Sequence, residues 1–270
     1  MARPTPGPRF WLAVGTLWWR ELVRFYRHRG RVVGALGTPL VFWLLIGSGI
    51  GTSFRSATAP AEMNYLEYFF PGTVLLILLF TSIFCMMSVI EDRREGFLLS
   101  VLVAPVSRAS VVLGKTLGGA TLSLLQGFLF VLLAPTVGIA LSSLQVVYLV
   151  GVLFCIAFAL NGVGFLTAWR LDSMQGFHAV ANLVLIPLWL LSGALFPPSG
   201  ASPWIRWVMR LNPLTYALEA LRHVLYLNMP SGGQEAPSLA LALGVTGLFA
   251  VLAAVAAFWL AARPSRADWS

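Results

Sequence analysis

The chain has 270 residues, of which 58% are hydrophobic and only 10% charged. A soluble domain carries about 25% charged residues, so this composition excludes an ordinary soluble fold. The formal charge is +8, but the basic residues cluster around apolar runs, which reads as membrane topology and not as a nucleic-acid surface.

Residues 1–31 form a basic amino-terminal segment. Within it, Trp11, Val14, Trp18, Leu22 and Phe25 recur at helical spacing, and Arg20, Arg24, Arg27 and Arg31 recur half a turn away. This pattern predicts an amphipathic helix over about residues 10–30. It would lie in the membrane interface, with rings in the acyl boundary and guanidiniums toward anionic headgroups.

Six long apolar runs follow: Val32–Ser53, Phe69–Ile90, Leu117–Ala140, Leu144–Ala168, Val180–Phe196 and Ser238–Ala262. Each approaches the roughly 20 residues needed to cross a bilayer. Continuous runs favour helices over strands, because a helix satisfies its own backbone in lipid. The fold class expected is all-α: a polytopic protein with a six-helix transmembrane domain over residues 32–262 and a tail over 263–270.

Arg93, Arg94, Arg108, Lys115, Arg170, Arg263 and Arg266 fall on the same predicted side as the amino-terminal arginines. Arg55, Arg206, Arg210 and Arg222 fall on the other. Six spans with both termini cytoplasmic satisfy the positive-inside bias. No cleavable leader is expected, since the first apolar run follows a basic segment and is too long for one.

Small residues four apart recur at Gly47 and Gly51, Gly114 and Gly118, and Ala253 and Ala257. Such pairs let helix backbones approach closely, within one bundle or at a dimer seam. The residues Leu141–Ser143 form a tight turn, so spans three and four should be antiparallel neighbours. The stretch Phe54–Tyr68 reads as a short polar external loop.

Glu91–Ser110 is a charged segment between spans two and three. Inside it the apolar stretch from Phe97 to Val103 predicts a short helix along the membrane, stopped by Pro105. An apolar heptapeptide outside a span calls for a covering surface. Lys115 is expected to anchor the end of span three by snorkelling.

The segment from Pro198 to Pro237 is too polar to span. Proline lacks the amide donor, so Pro213 should break it into two helices at Asn212. Glu219 and Arg222, three apart, can pair. Trp204 and Trp207 suit the headgroup level. The two helices are expected to re-enter the outer leaflet without crossing.

Chemistry is scarce. Ala109 to Thr116 fits a relaxed phosphate-loop pattern, but Pro105 to Arg108 is no strand, and no α/β domain follows to hold a nucleotide. Cys85 and Cys155 fall in different spans and make no metal site. His28, His178 and His223 are scattered. No span carries an acid at its middle, which argues against proton coupling. Energy for uphill transport would come from a partner.

Two segments carry a family resemblance. One runs from Glu95-Gly96 through Leu102-Val103-Ala104-Pro105-Val106-Ser107-Arg108. The other runs from Leu191-Ser192-Gly193-Ala194-Leu195-Phe196-Pro197 through Trp204, Trp207 and Leu211-Asn212-Pro213-Leu214-Thr215-Tyr216-Ala217 to Ala220-Leu221-Arg222. With the six-span layout, the chain resembles the permease subunit of type-2 ABC exporters, in the branch of nodulation-factor, drug-resistance and polysaccharide export permeases. Phe97 and Leu99 depart from that family, which often has Thr and an acid at these positions.

The resemblance implies a half-transporter in the cell membrane: two permease copies and two separate ATPase subunits, exporting a lipid, a glycolipid or polysaccharide, or a hydrophobic drug. No cofactor is expected in this chain; ATP and Mg would be bound by the partner ATPase. By position, the resemblance assigns ATPase coupling to Glu91, Glu95, Gly96, Leu98, Pro105, Val106, Ser107 and Arg108. Trp18, Arg20, Arg24 and Arg27 would belong to the interfacial helix. Pro197, Trp204, Trp207, Asn212, Pro213, Tyr216 and Arg222 would shape an external re-entrant gate. A non-ABC membrane assembly or scaffold component is the alternative.

Overall fold

The computed structural model describes residues 8–50, 64–103, 106–227 and 237–263. Within them the chain is helical, with no strand: α1 (Pro8–Arg27), α2 (Arg29–Ile50), α3 (Tyr65–Arg94), α4 (Phe97–Val103), α5 (Arg108–Val131), α6 (Ser143–Arg170), α7 (Met174–Trp189), α8 (Pro203–Leu211), α9 (Pro213–Leu225) and α10 (Leu239–Ala262).

The central pillar is α3. It is apolar around most of its circumference, so it can bury every face. Phe69, Phe70, Val74, Ile77 and Leu78 are among its fully enclosed side chains. Around it stand α2, α5, α6, α7 and α9, while α10 packs on α6 and α9, and α1 lies along α5.

Close approach is bought with small residues. A β-carbon at Gly114 would stand 2.8 Å from the Leu17 β-carbon, and one at Gly118 would stand 2.8 Å from that of Glu21. The Gly114/Gly118 pair is therefore spent on α1 within one chain. Ala253 faces Gly162 of α6, whose added β-carbon would lie 3.0 Å from that of Ala253. Gly47 packs on Leu66 of α3, and its partner in spacing, Gly51, lies outside the described residues.

Five helical segments are long and apolar enough to cross a membrane: Arg29–Ile50, Tyr65–Arg94, Ser143–Arg170, Met174–Ala194 and Leu239–Ala262. The helix α5 is as long but is not among them. Its apolar run is diluted by Gly114, Lys115, Ser123 and Gln126.

Several boundaries differ from the sequence reading. The third run was expected over Leu117–Ala140, yet α5 begins at Arg108. There the Ser107 hydroxyl accepts the Ser110 amide at 3.1 Å, a helix N-cap. It ends at Val131, followed by a 3-10 turn, Ala134–Val137, which closes on Gly138 at φ +82°. A left-handed residue stops a helix, and glycine adopts that conformation without steric cost. Ser142 and Gln145 then form a capping box that starts α6. Tyr65–Tyr68, assigned to a loop, form the first turn of α3. Glu91–Arg94, assigned to the next loop, are its last turn.

The helix α7 starts six residues before the expected Val180 and is followed by a wide turn, Leu190–Ala194. Pro187 removes one backbone donor shortly before that break, and Gly193 at φ +91° completes it.

Candidate functional site: a buried ionic junction and the opposite helix pair

At one end of α3 the chain buries a cluster of charges. Asp92 is fully enclosed, and Glu21 and Lys115 are 3% and 1% exposed. The Lys115 ammonium donates to Glu21 at 2.7 Å and to the Ser88 hydroxyl at 3.1 Å, and it stands 2.5 Å from Asp92. The Arg20 guanidinium grips Asp92 with two hydrogen bonds of 2.8 and 2.7 Å, the bidentate geometry in which arginine pairs best with a carboxylate. Arg24 also reaches Asp92, as well as Glu91 at 2.7 Å and Glu95 at 3.4 Å. Arg31 of α2 closes on Glu91.

The cluster holds four cations (Arg20, Arg24, Arg31, Lys115) and four anions (Glu21, Glu91, Asp92, Glu95). It joins α1, α2, α3 and α5. Burial alone lowers the Arg20 pKa, but the hydrogen bond and charge of Asp92 outweigh it, and the net shift is upward. Buried ion pairs repay their desolvation only with good geometry. Their effect here is to fix where α1 sits on α5.

The local sequence explains how α1 reaches the cluster. Val14, Leu17, Glu21 and Phe25 share one face, and all four are buried. Trp18 beside them donates its indole N–H to Thr121 at 3.0 Å. The exposed stripe is Trp11, Leu12, Trp19, Val23 and Tyr26. The helix is thus turned relative to the sequence reading. Arg20 and Arg24, expected to face headgroups, are taken by carboxylates; Arg27 stays exposed. Lys115 does not snorkel, because Glu21 and Asp92 give it a closer partner than the headgroup layer.

Two of the cluster's most buried members, Glu21 and Asp92, have no role in the sequence reading, and Lys115 has a different one. One signal was available: Glu21 is the single acid in α1 and lies on its apolar face.

The expected coupling residues divide. After Glu95, Gly96 turns the chain at φ +72° into α4. There Leu98 is buried, and the Phe97 ring packs beneath Arg20 at 3.7 Å. Leu99 and Ser100 face outward. Glu95 is 60% exposed. Val106 is half-buried and Ser107 caps α5, while Arg108 turns away to the carbonyls of Ala261 (3.2 Å) and Arg263 (3.1 Å). Pro105 lies outside the described residues. Between α1 and the end of α3 runs an open groove of about 460 Å³, lined by Trp19, Arg20, Val23, Arg24, Arg27, His28, Glu91 and Glu95. On the same end, Arg93 reaches Asp172 at 2.8 Å and the Trp169 carbonyl at 2.7 Å, securing the turn between α6 and α7.

At the far end of α3, α8 and α9 meet at Asn212. Its side-chain oxygen accepts the Leu214 amide at 3.0 Å, capping α9, and its amide donates to the Leu188 carbonyl at 2.6 Å. Pro213 takes the first helical position, where no backbone donor is needed. Arg222 pairs with Glu219 at 2.7 Å, donates to the Gly193 carbonyl at 2.8 Å and lies 4.6 Å from the centre of the Tyr68 ring. The Tyr68 hydroxyl donates to the same carbonyl at 2.8 Å. Tyr216 donates to the Arg210 carbonyl at 2.9 Å. Pro197 leads into a 3-10 turn, Pro198–Gly200. Trp204 and Trp207 are exposed. Gly193 and Tyr68, which join the break after α7 to α3, were not among the residues assigned by sequence.

No group of three or more potential metal ligands occurs among the described residues.

The profile of the ABC-2 type transporter family matches residues 13–226, spanning both ends just described. The ycf38 protein of Cyanophora paradoxa, which carries a transport-permease name, is 29% identical over 75% of this chain and 70% of its own length. Nodulation protein J of Neorhizobium galegae is 24% identical over 90% of this chain and 88% of its own. The inner membrane transport permease YadH of Escherichia coli O6:H1 is 24% identical over 79% and 83%. The matched region reaches from the helix that docks on α5 to the end of α9, and the chain accordingly belongs to the ABC-2 type transporter family, as a multi-pass permease subunit.

Proposed function

We propose that this permease is the membrane half of an ATP-driven exporter. Two copies would form the translocation pathway and two separate ATPase subunits would supply the energy, binding ATP and Mg. The cargo class is a lipid, a glycolipid or polysaccharide, or a hydrophobic drug. Each copy would cross the cell membrane six times, α5 being the remaining span, with both termini cytoplasmic and the α8–α9 pair at the outer surface.

The observation that carries this reading is the ionic junction. It connects α1, α3 and α5 rigidly, and α4 continues from it through a two-residue turn. A push on α4 or on the groove beside α1 would therefore act on three long helices together. Coupling by a bound ATPase needs such a connection, because packed elements transmit displacement only where they are joined.

The paired arrangement has its own support. The buried helix amides Gln126, Gln145 and Asn161 each make at least one hydrogen bond, while Gln126 Nε2 and Asn161 Oδ1 make none. Gln175 and Asn182 of α7 are exposed and have none among the described residues. A primary amide is both donor and acceptor, so such a face complements its own copy or an aqueous pathway.

Purification from native membranes in mild detergent, followed by mass spectrometry, tests the proposal. A stoichiometric ATPase with a dimeric permease is the expected result. A folded, dimeric permease with no ATPase attached would overturn it and favour a scaffold role.

A further inference from the structure

The arginines at the ionic junction and beneath Gly193 all have partners. Arg20, Arg24, Arg31 and Arg222 each meet a carboxylate, and Arg93 meets Asp172. The helix α8 breaks this pattern. It contains Arg206 and Arg210, one turn apart, and no acidic residue. Neither arginine has an ion pair among the described residues. Arg206 is half-buried, and its Nε is buried with no hydrogen-bond partner.

The other side of α8 is apolar and uncovered. Trp204, Trp207, Val208 and Leu211 recur at three and four, and they are 67%, 65%, 36% and 70% exposed. This stripe is held in place. Met209 is buried against the break at Gly193. Asn212, which follows α8, donates its side-chain amide to the Leu188 carbonyl near the end of α7. The Tyr216 hydroxyl takes the last-turn carbonyl of Arg210. The helix therefore presents three fixed faces: one packed on the protein, one apolar and one doubly cationic.

We propose that α8 is a binding site for anionic phospholipid. Acyl chains lie against Trp204, Trp207 and Leu211, and the phosphate is held by Arg206 and Arg210. Tryptophan is favoured at the level where apolar tails meet headgroups, and guanidinium groups match phosphate oxygens in pairs. A second copy of the chain is disfavoured as the occupant, because pairing of the two apolar stripes would still leave Arg206 and Arg210 without an anion, whereas an anionic phospholipid supplies both the apolar chains and the charge. The site rests on the reading above that α8 lies at a bilayer surface.

The full-length permease, with any ATPase that accompanies it, is titrated with phosphatidylglycerol and, separately, phosphatidylcholine, and retained lipid is counted by native mass spectrometry. The wild type should prefer phosphatidylglycerol. The double variant Arg206→Gln/Arg210→Gln should reduce that preference roughly thirty-fold, as expected for two charges at a lipid surface. Trp204→Ala/Trp207→Ala should weaken both lipids alike. An unchanged preference in the arginine variant overturns the site.

A spin label at Val208→Cys in liposomes separates the two readings. Accessibility to oxygen but not to a water-soluble nickel chelate places α8 in the bilayer, whatever the lipid counts. A label open to the chelate sinks the bilayer placement and the site with it. Dipolar broadening between copies assigns the face to a dimer contact and also overturns the lipid site.

Discussion

Lys115 of α5 and Asp92 of α3 stand 2.5 Å apart, and both are almost wholly withdrawn from solvent. Neither could be buried alone. Asp92 also receives Arg20 and Arg24, so one carboxylate answers three cations. Glu21 supplies the second anion Lys115 needs.

Replacing Asp92→Asn takes the shared carboxylate from those three cations and leaves Arg20 only Glu21, at 3.8 Å. Breaking a buried pair by removing one partner costs about 3–5 kcal/mol. Thermal unfolding in detergent should show a large drop for Asp92→Asn and for Lys115→Met. Glu21→Gln combined with Lys115→Met should cost less than the two single changes summed, because the pair is removed together. Strict additivity would mean that the two side chains do not interact.

Gly118 lies under the Glu21 β-carbon, where an added β-carbon would stand 2.8 Å away. Gly118→Leu should push α1 off α5 and separate Glu21 from Lys115. Overpacking of this kind typically costs about 1–3 kcal/mol. Gly15, on the open face of α1 with nothing within 4 Å, is the control: Gly15→Ala should leave the melting temperature level or raise it. Equal effects at the two glycines would contradict the packing of α1 on α5.

At the opposite end, Gly193 holds φ +91° while its carbonyl accepts from Tyr68 and Arg222. A β-carbon in the left-handed region costs roughly 1–2 kcal/mol. Gly193→Ala should therefore lower stability by about that amount, and Arg222→Gln should leave Glu219 without its cation. Melting curves of the two variants check this. A neutral Gly193→Ala would show that the break after α7 has another geometry.

Glu95 is the exposed rim of the junction, 3.4 Å from Arg24. An exposed ion pair is worth about 0–1 kcal/mol, so Glu95→Gln should melt close to the wild type. If the groove and α4 receive the ATPase, the same variant should lower cargo-stimulated ATP hydrolysis in the reconstituted complex. Unaltered stimulation removes Glu95 from the coupling surface.

Much of the architecture could be read along the chain. Apolar run length, the missing donor of Pro213 and the three-residue spacing of Glu219 and Arg222 act within a turn or two of helix. They accordingly marked the long helices, the division at Asn212 and one ion pair. Helix ends were harder where a cap decided them: Ser107 started α5 early, and Gly138 and Gly193 placed breaks that hydropathy does not register.

The junction depended on tertiary structure. Arg20 and Asp92 are 72 residues apart, and Glu21 and Lys115 are 94 apart. Sequence alone presents them as charges on separate segments, and the structure brings them together at one end of α3. Which carboxylate meets which cation follows from where Gly114 and Gly118 let α1 approach α5. Inside a packed bundle, a charge without water must take the partner that packing brings within reach.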